Sequence, residues 1–134
     1  MQKLKNSELK RKTVAAFKMA PKIPLILILA DVRSLNNIGS IFRTADAFLI
    51  EKIFLCGITA TPPHKDIYKT ALGASDSVDW AYEERAELIV KKLQSEGVRV
   101  LAIEQAEASL PLSDFRVDKD EKYCFILGNE VRGV

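Results

Sequence analysis

Asn37 and Arg43 bring an amide and a guanidinium into one polar segment, residues 37–48, which follows the apolar run 25–30 across a short turn. Apolar residues recur at helical spacing within the segment, so a helix is predicted to open near Asn37. A helix that opens beside the carboxyl end of a buried strand offers free N–H groups to an anion such as a phosphate. Two other interpretations stay open, because Asn37 could cap the helix and Arg43 could be a surface side chain paired with Asp46.

A second polar segment, residues 127–134, follows the last apolar run of the chain. In this segment two glycines bracket Asn129, Glu130 and Arg132. A strand that ends in this way usually feeds a binding loop, although a solvated turn is the alternative. Because parallel strands end at the same edge of a sheet, we expect the two segments to converge at one pocket rim, with the Arg43 side chain facing inward.

The elements that must position these segments follow from the hydrophobic pattern. Continuous apolar runs alternate with helical patterns, which is typical of parallel strands buried on both faces. Strands are predicted at 25–30, 52–56, 98–103 and 123–127 with an edge strand at 77–82, and further helices at 65–72 and 86–93. The pattern therefore predicts one α/β domain, an open and mostly parallel sheet with helices on both faces.

Small residues at Gly39 and over residues 69–74 could let a backbone approach a ligand or another helix closely. Close packing is the favoured interpretation of both.

Positive charge is concentrated at the start of the chain. Residues 1–22 hold seven Lys or Arg against one acid and carry +6, whereas the whole chain carries +2, so the remaining residues sum to −4. A basic N-terminal extension over 1–22 is predicted to form a short helix that Pro21 and Pro24 end before the first strand. Lys10, Arg11 and Lys12 are candidate RNA contacts, with a solvated terminus as the alternative.

Several other functions are disfavoured. No apolar run is long enough to span a membrane, no signal peptide opens the chain, and Cys56 and Cys124 lie in separate apolar segments as two reduced core thiols, so a cytoplasmic protein is expected. The dinucleotide, P-loop and esterase fingerprints are missing from the sequence. His64 is the sole histidine and is interpreted as a loop residue, so no metal is expected.

The aromatic residues Tyr68, Trp80 and Tyr82 are widely spaced along the chain. We therefore expect them to be too scattered to form a base-stacking platform.

Together, N-I-G-S-I-F-R-T-A-D-A-F at 37–48 and L-G-N-E-V-R-G-V at 127–134 resemble the first and second motifs of SpoU-type (TrmH-like) RNA ribose 2′-O-methyltransferases of the SPOUT class. The segments I-F-L-C-G-I-T-A-T-P-P and K-T-A-L-G-A are also similar to that family. The resemblance implies S-adenosylmethionine as methyl donor, a ribose 2′-hydroxyl of tRNA or rRNA as acceptor, and a homodimer with its active site near the subunit interface.

By this resemblance, Asn37, Arg43 and Glu130 match the catalytic motif positions, and the cofactor-binding positions are Leu127, Gly128, Asn129 and Gly133. A guanidinium is almost never neutral in a protein, so a role for Arg43 as a literal base is chemically demanding. We expect Arg43 to grip an RNA phosphate and orient the 2′-oxygen, Asn37 to hold the loop, and Glu130 to organise the facing donors.

Family members continue past the second motif into a third motif and a trefoil knot, which the sequence to Val134 does not contain. Residues 23–134 are therefore expected to be a partial SPOUT methyltransferase domain without the knot, a portion of a longer protein, and its activity alone stays open. One alternative is a non-catalytic RNA-binding or dimerisation module on the same scaffold. The other is an unrelated α/β nucleotide-binding protein with chance motif similarity.

Overall fold

The computed structural model describes residues 13–104 and 109–134. The helices are α1 Val14–Met19, α2 Leu35–Ala47, α3 Lys65–Ala71, α4 Ala74–Ser77 and α5 Ala86–Ser95. The strands are β1 Ile23–Ala30, β2 Ile50–Cys56, β3 Trp80–Glu83, β4 Arg99–Ile103 and β5 Tyr123–Leu127.

The five strands form one parallel sheet in the order β3-β2-β1-β5-β4. The first strand in the chain is thus the central one, with β2 on one side and β5 on the other. Near its carboxyl end Leu29 is in register with both Leu55 and Leu127. The polar segments that follow β1 and β5 therefore leave the sheet side by side, and the predicted open parallel sheet is confirmed.

Alternation along β1 sends successive side chains to two different cores. Leu27 and Leu29 are buried on the face that α1 to α4 cover. Ile26 and Ile28 are buried on the opposite face, together with Leu93 of α5. The prediction of helices on both faces is confirmed, and the continuous apolar run of β1 is explained by its burial on both sides.

Two predicted boundaries are wrong. Pro24 lies within β1 rather than before it. The pairing with β2 is interrupted between Ile23 and Ile26, so the missing N–H breaks no ladder bond there. The predicted edge strand at 77–82 begins only at Trp80, since Ser77 still belongs to α4.

Both cysteines are free and buried, which confirms their interpretation as core thiols. Desolvation raises the pKa of Cys56 to about 11, and the carboxylates of Glu83 and Asp31 contribute to the shift. Desolvation also raises the pKa of Cys124 to about 12. Neither thiol is ionised near neutral pH, so neither is a nucleophile in the folded chain.

The described part of the basic extension is α1, which Thr13 caps by accepting a hydrogen bond from the Ala16 N–H at 3.1 Å. Phe17 anchors the helix in the core of the sheet, and Lys18 pairs with Asp79 at 3.3 Å. Lys10, Arg11 and Lys12 lie outside the described residues.

Across residues 13–104 and 109–134, none of the helices is both long and apolar enough to cross a membrane.

Candidate active site

A pocket of about 250 Å³ lies between α2 and the segment that follows β5. Val32 lines it from the turn after β1, and the rest of the lining comes from both polar segments, namely Asn37, Ser40, Ile41, Thr44, Leu127, Gly128 and Glu130. The predicted convergence of the two segments at one rim is therefore confirmed.

Main-chain hydrogen bonds to Glu130 tie the second polar segment to the turn that leads into α2, the helix that carries the first segment. One carboxylate oxygen of Glu130 accepts from the Ser34 N–H at 3.0 Å, and the other accepts from the Arg33 N–H at 3.2 Å. These N–H groups lie just before the first turn of α2, where a helix favours negative charge. The anion predicted at this helix start is thus provided by the chain's own carboxylate.

The same contacts set the charge state of Glu130. Partial burial by itself raises the pKa of Glu130, but the N–H groups of Ser34, Glu130 and Arg33 and the side chain of Asn37 outweigh that effect. The pKa of Glu130 is consequently lower than its usual value. The carboxylate is ionised at neutral pH and serves as an acceptor for N–H donors.

Asn129 organises the loop itself. Its side-chain N–H₂ donates to the Asp31 carbonyl at 2.9 Å, so it ties the end of β5 to the end of β1. Its side-chain oxygen accepts from the N–H groups of Val131 and Arg132 at 2.9 and 3.0 Å. Asn129 was predicted as a cofactor contact, and in this structure its side chain shapes the loop.

The two glycines let the loop close tightly. A Cβ on Gly128 would collide with the backbone of Gly133, and the main chains of Asn129 and Gly133 exchange two hydrogen bonds of 3.1 and 2.8 Å. Gly133 has a φ of +76°, a conformation that other residues rarely adopt. The Val134 N–H donates to the Glu104 carboxylate at 2.7 Å, which joins the loop to the end of β4.

Asn37 reaches the pocket but does not cap α2. Ser34 is the cap, because its hydroxyl accepts from the Asn37 N–H at 3.1 Å and the helix begins at Leu35. The helix start predicted near Asn37 is therefore two residues late. The Asn37 side chain faces Glu130 instead and contributes to the lowered pKa of that carboxyl.

Arg43 is exposed and does not line the pocket. It follows Asn37 by six residues, which places it about 120° away around the helix axis. The expectation that its guanidinium faces into the pocket is therefore wrong. Arg43 lies one turn after Gly39, on the side of α2 that turns toward α3, where a Cβ on Gly39 would collide with Thr70 and Ile67.

Packing accounts for both stretches of small residues, as the sequence predicted. The absence of a Cβ at Gly39 lets α3 approach α2 closely, and the Thr70 hydroxyl donates to the Asn36 carbonyl at 3.0 Å. The two helices are thereby held in a fixed arrangement behind the pocket.

Sequence reasoning missed Thr59. Its side chain is buried, donates to the Leu29 carbonyl at 3.0 Å and accepts from the Val32 N–H at 3.0 Å. It therefore fixes the turn that delivers Val32 to the pocket. A single threonine in a proline-containing loop carries no pattern that would have revealed this role.

Two of the three aromatic residues, Tyr68 and Trp80, line one groove although they are widely spaced in the sequence. Tyr82 lies apart and donates to the Gly57 carbonyl at 2.7 Å. His64 lies just before α3 and caps the helix by accepting from the Asp66 N–H at 3.1 Å. The described ranges contain no group of three or more His, Cys, Asp or Glu able to hold a metal ion.

Solved structures of methyltransferases share this fold. A TrmH/SpoU tRNA modifying enzyme from A. aeolicus matches with a TM-score of 0.72 and 19% identity over 84% of this chain and 56% of that one. An AdoMet-bound rRNA methyltransferase from Sinorhizobium meliloti matches with a TM-score of 0.72 and 25% identity over 95% of this chain and 47% of that one.

The SpoU methyltransferase AviRb from Streptomyces viridochromogenes, in complex with the cofactor AdoMet, matches with a TM-score of 0.72 and 18% identity over 87% of this chain and 44% of that one. The chain thus spans about half the length of the solved structures that it matches. A comparison with the sequences of curated proteins finds no match.

The sequence profile of the SpoU rRNA Methylase family matches residues 24–134. That range includes β1 from its second residue, the other four strands and both polar segments. The alternative of an unrelated nucleotide-binding protein with chance motif similarity is therefore wrong. The chain belongs to the SpoU rRNA methylase family.

Proposed function

We propose that the chain is part of an RNA ribose 2′-O-methyltransferase that transfers a methyl group from S-adenosylmethionine to a tRNA or rRNA nucleotide. The family supports RNA methylation. The observation that carries the proposal is the pair of hydrogen bonds from the Arg33 and Ser34 N–H groups to Glu130, which joins the two motifs at one pocket.

The residues proposed to bind the cofactor fit one wall of a cofactor site. The tight approach of Gly128 to Gly133 leaves bare backbone at the pocket edge, against which a flat ligand can pack. The pocket volume of about 250 Å³ is below the roughly 300–1,000 Å³ usual for small-molecule sites. We infer that Leu127, Gly128, Asn129 and Gly133 hold one side of S-adenosylmethionine, which when bound supplies an activated methyl group.

Arg43 acts on the RNA rather than on the cofactor in this proposal. Its exposed guanidinium can hold a phosphate through two parallel hydrogen bonds. The phosphate contact positions the neighbouring ribose at the rim of the pocket. Asn37 and Glu130 keep that rim in place, because they fix the start of α2 against the loop after β5.

The decisive experiment measures methyl transfer from labelled S-adenosylmethionine to total tRNA and rRNA, with this chain and with any longer natural form, followed by mapping of the modified ribose. We expect Arg43→Lys to lose most of the activity, at least about tenfold, because a lysine keeps the charge but not the two-pronged geometry. Arg85→Lys is the matched control, since Arg85 pairs with Glu87 at the start of α5 and lies away from both motifs.

Full activity of Arg43→Lys would contradict the role of Arg43. Calorimetry with S-adenosylmethionine and its demethylated product tests the cofactor separately. We expect Gly128→Ala to abolish binding, because the added Cβ collides with Gly133. RNA binding without any binding of the cofactor would favour the alternative, a non-catalytic module on the same scaffold.

We also propose that the protein is a cytoplasmic homodimer with its active site near the subunit interface. The exposed position of Arg43, outside its own chain's pocket, is compatible with an RNA that contacts two copies. Sedimentation of the purified chain and of any longer natural form tests the dimer, and a monomer at micromolar concentration would contradict it.

A further inference from the structure

A second and larger groove, of about 830 Å³, lies beside α3 and β3, and nothing in the proposed reaction uses it. Its volume is in the range of small-molecule binding sites. Carbon-rich surfaces of Pro62, Pro63, Tyr68 and Trp80 form much of its wall. The Tyr68 residue is 58% exposed, so an aromatic face is available to a ligand from solvent.

Two cations and one carboxylate line the same groove: Lys65 and Lys69 of α3, and Asp76. Lys69 also pairs with Asp66 at 3.3 Å, but its side chain is 70% exposed. An ion pair so exposed to solvent is weak, so Lys69 can exchange the Asp66 carboxylate for another anion.

The basic extension is anchored beside this groove. Lys18 of α1 pairs with Asp79, the residue that precedes Trp80. Helix α1 also contacts α4, which includes the groove residues Ser75 and Asp76. The +6 charge of residues 1–22 therefore belongs to a segment whose described helix lies at this edge of the domain.

Helix α3 connects the groove to the motif helix. Its Thr70 side chain contacts α2, where it donates to the Asn36 carbonyl, while Tyr68 and its two lysines face the groove. Arg43 lies on the side of α2 that turns toward α3. Arg43 and the two lysines of the groove therefore lie on two helices that pack together.

We propose that this groove binds an unpaired nucleotide of the RNA, with its base against Tyr68 and Trp80 and its flanking phosphates at Lys65 and Lys69. Aromatic faces and nearby cations are the combination that binds single-stranded nucleic acid. The inference rests on the proposed RNA substrate and deepens it, because it names a docking surface away from the methylation pocket.

Trp80 is the single tryptophan of the chain, so its fluorescence reports directly on the groove. The experiment titrates the full chain with a single-stranded RNA of about ten nucleotides. We expect the RNA to quench Trp80, and Tyr68→Ala to weaken binding about 5- to 150-fold because base stacking is lost. Tyr68→Phe keeps the ring and is expected to retain affinity.

The double variant Lys65→Ala/Lys69→Ala tests the phosphate contacts. We expect it to reduce the slope of log affinity against log salt concentration by about 1.4, since two counterion-releasing contacts are lost. Lys91→Ala/Lys92→Ala removes the same charge from α5 on the opposite face of the sheet and is the matched control. It is expected to leave the quenching curve almost unchanged.

Three results would overturn the proposal: RNA binding that leaves Trp80 fluorescence unchanged, equal losses in the groove and control variants, or a mononucleotide that quenches as tightly as the oligonucleotide. The last result would indicate a free-nucleotide site instead. Failure of the methylation proposal is recognised separately, because loss of methyl transfer or of cofactor binding does not alter this equilibrium measurement.

Discussion

At the scale of single residues, Glu130 is the side chain that joins the two motifs, and its contacts predict a pH dependence. The folded-state pKa of Glu130 lies below its usual value of 4.5. The stabilisation of the folded chain by the ionised Glu130 carboxylate is therefore complete above the unfolded-state pKa. It is lost as the pH falls through the folded-state pKa. Glu130→Gln is expected to lower the free energy of unfolding by about 1 kcal/mol at pH 7.

Below about pH 4 the difference between Glu130→Gln and the parent chain should shrink, because the parent carboxyl is then also neutral. Urea unfolding across a pH series measures this. Glu84→Gln is the control, since it makes the same chemical change at an exposed carboxylate outside both motifs. A difference in the free energy of unfolding that stays constant from pH 7 to pH 3 would show that the charge of Glu130 does not stabilise the fold.

At the scale of the elements, Thr59 holds the turn after β1 in place. Thr59→Val removes the hydroxyl and leaves the buried Leu29 carbonyl and Val32 N–H without their partner. We expect a loss of about 1–3 kcal/mol in the free energy of unfolding, measured by urea denaturation. Thr61→Val, in the same loop, should change it by less than about 0.5 kcal/mol, and equal effects of the two variants would refute the assignment.

Elements could be predicted from the sequence where one strong local signal was present. The continuous apolar runs identified β1, β2, β4 and β5, since strands buried on both faces need hydrophobic residues throughout. The prediction for the short edge strand β3 began too early in the chain, because the four residues of the strand are only half-buried and carry little periodicity. The place of β5 next to β1 depends on pairing between distant segments, which local patterns do not encode.

The site shows the same division. Two polar segments that each follow an apolar strand were sufficient to predict that the segments converge at one pocket rim, because parallel strands end at the same edge of a sheet. Arg43 was placed wrongly because its spacing from Gly39 fixes which residues share a face but not which face turns toward the pocket. The groove at Tyr68 and Trp80 joins a helix to a strand, so the linear spacing of its rings concealed it.

At the scale of the whole molecule, charge is separated between the extension and the domain. Residues 1–22 carry +6 and the remainder −4, so RNA attraction should depend strongly on the extension. Replacing Lys10, Arg11 and Lys12 with alanine is expected to reduce the salt dependence of RNA affinity by about 2 in the log–log slope. An unchanged slope, measured by filter binding from low to high salt, would show that the extension does not contact RNA.

The bond between the motifs is made to main-chain N–H groups of Arg33 and Ser34 and not to their side chains. Any amino acid except proline supplies that N–H. Residue 33 can therefore be substituted during evolution without a matching change at position 130. Covariation between these two positions should therefore be weak even though they touch. A contact map inferred from correlated substitutions would overlook the very bond that assembles the pocket.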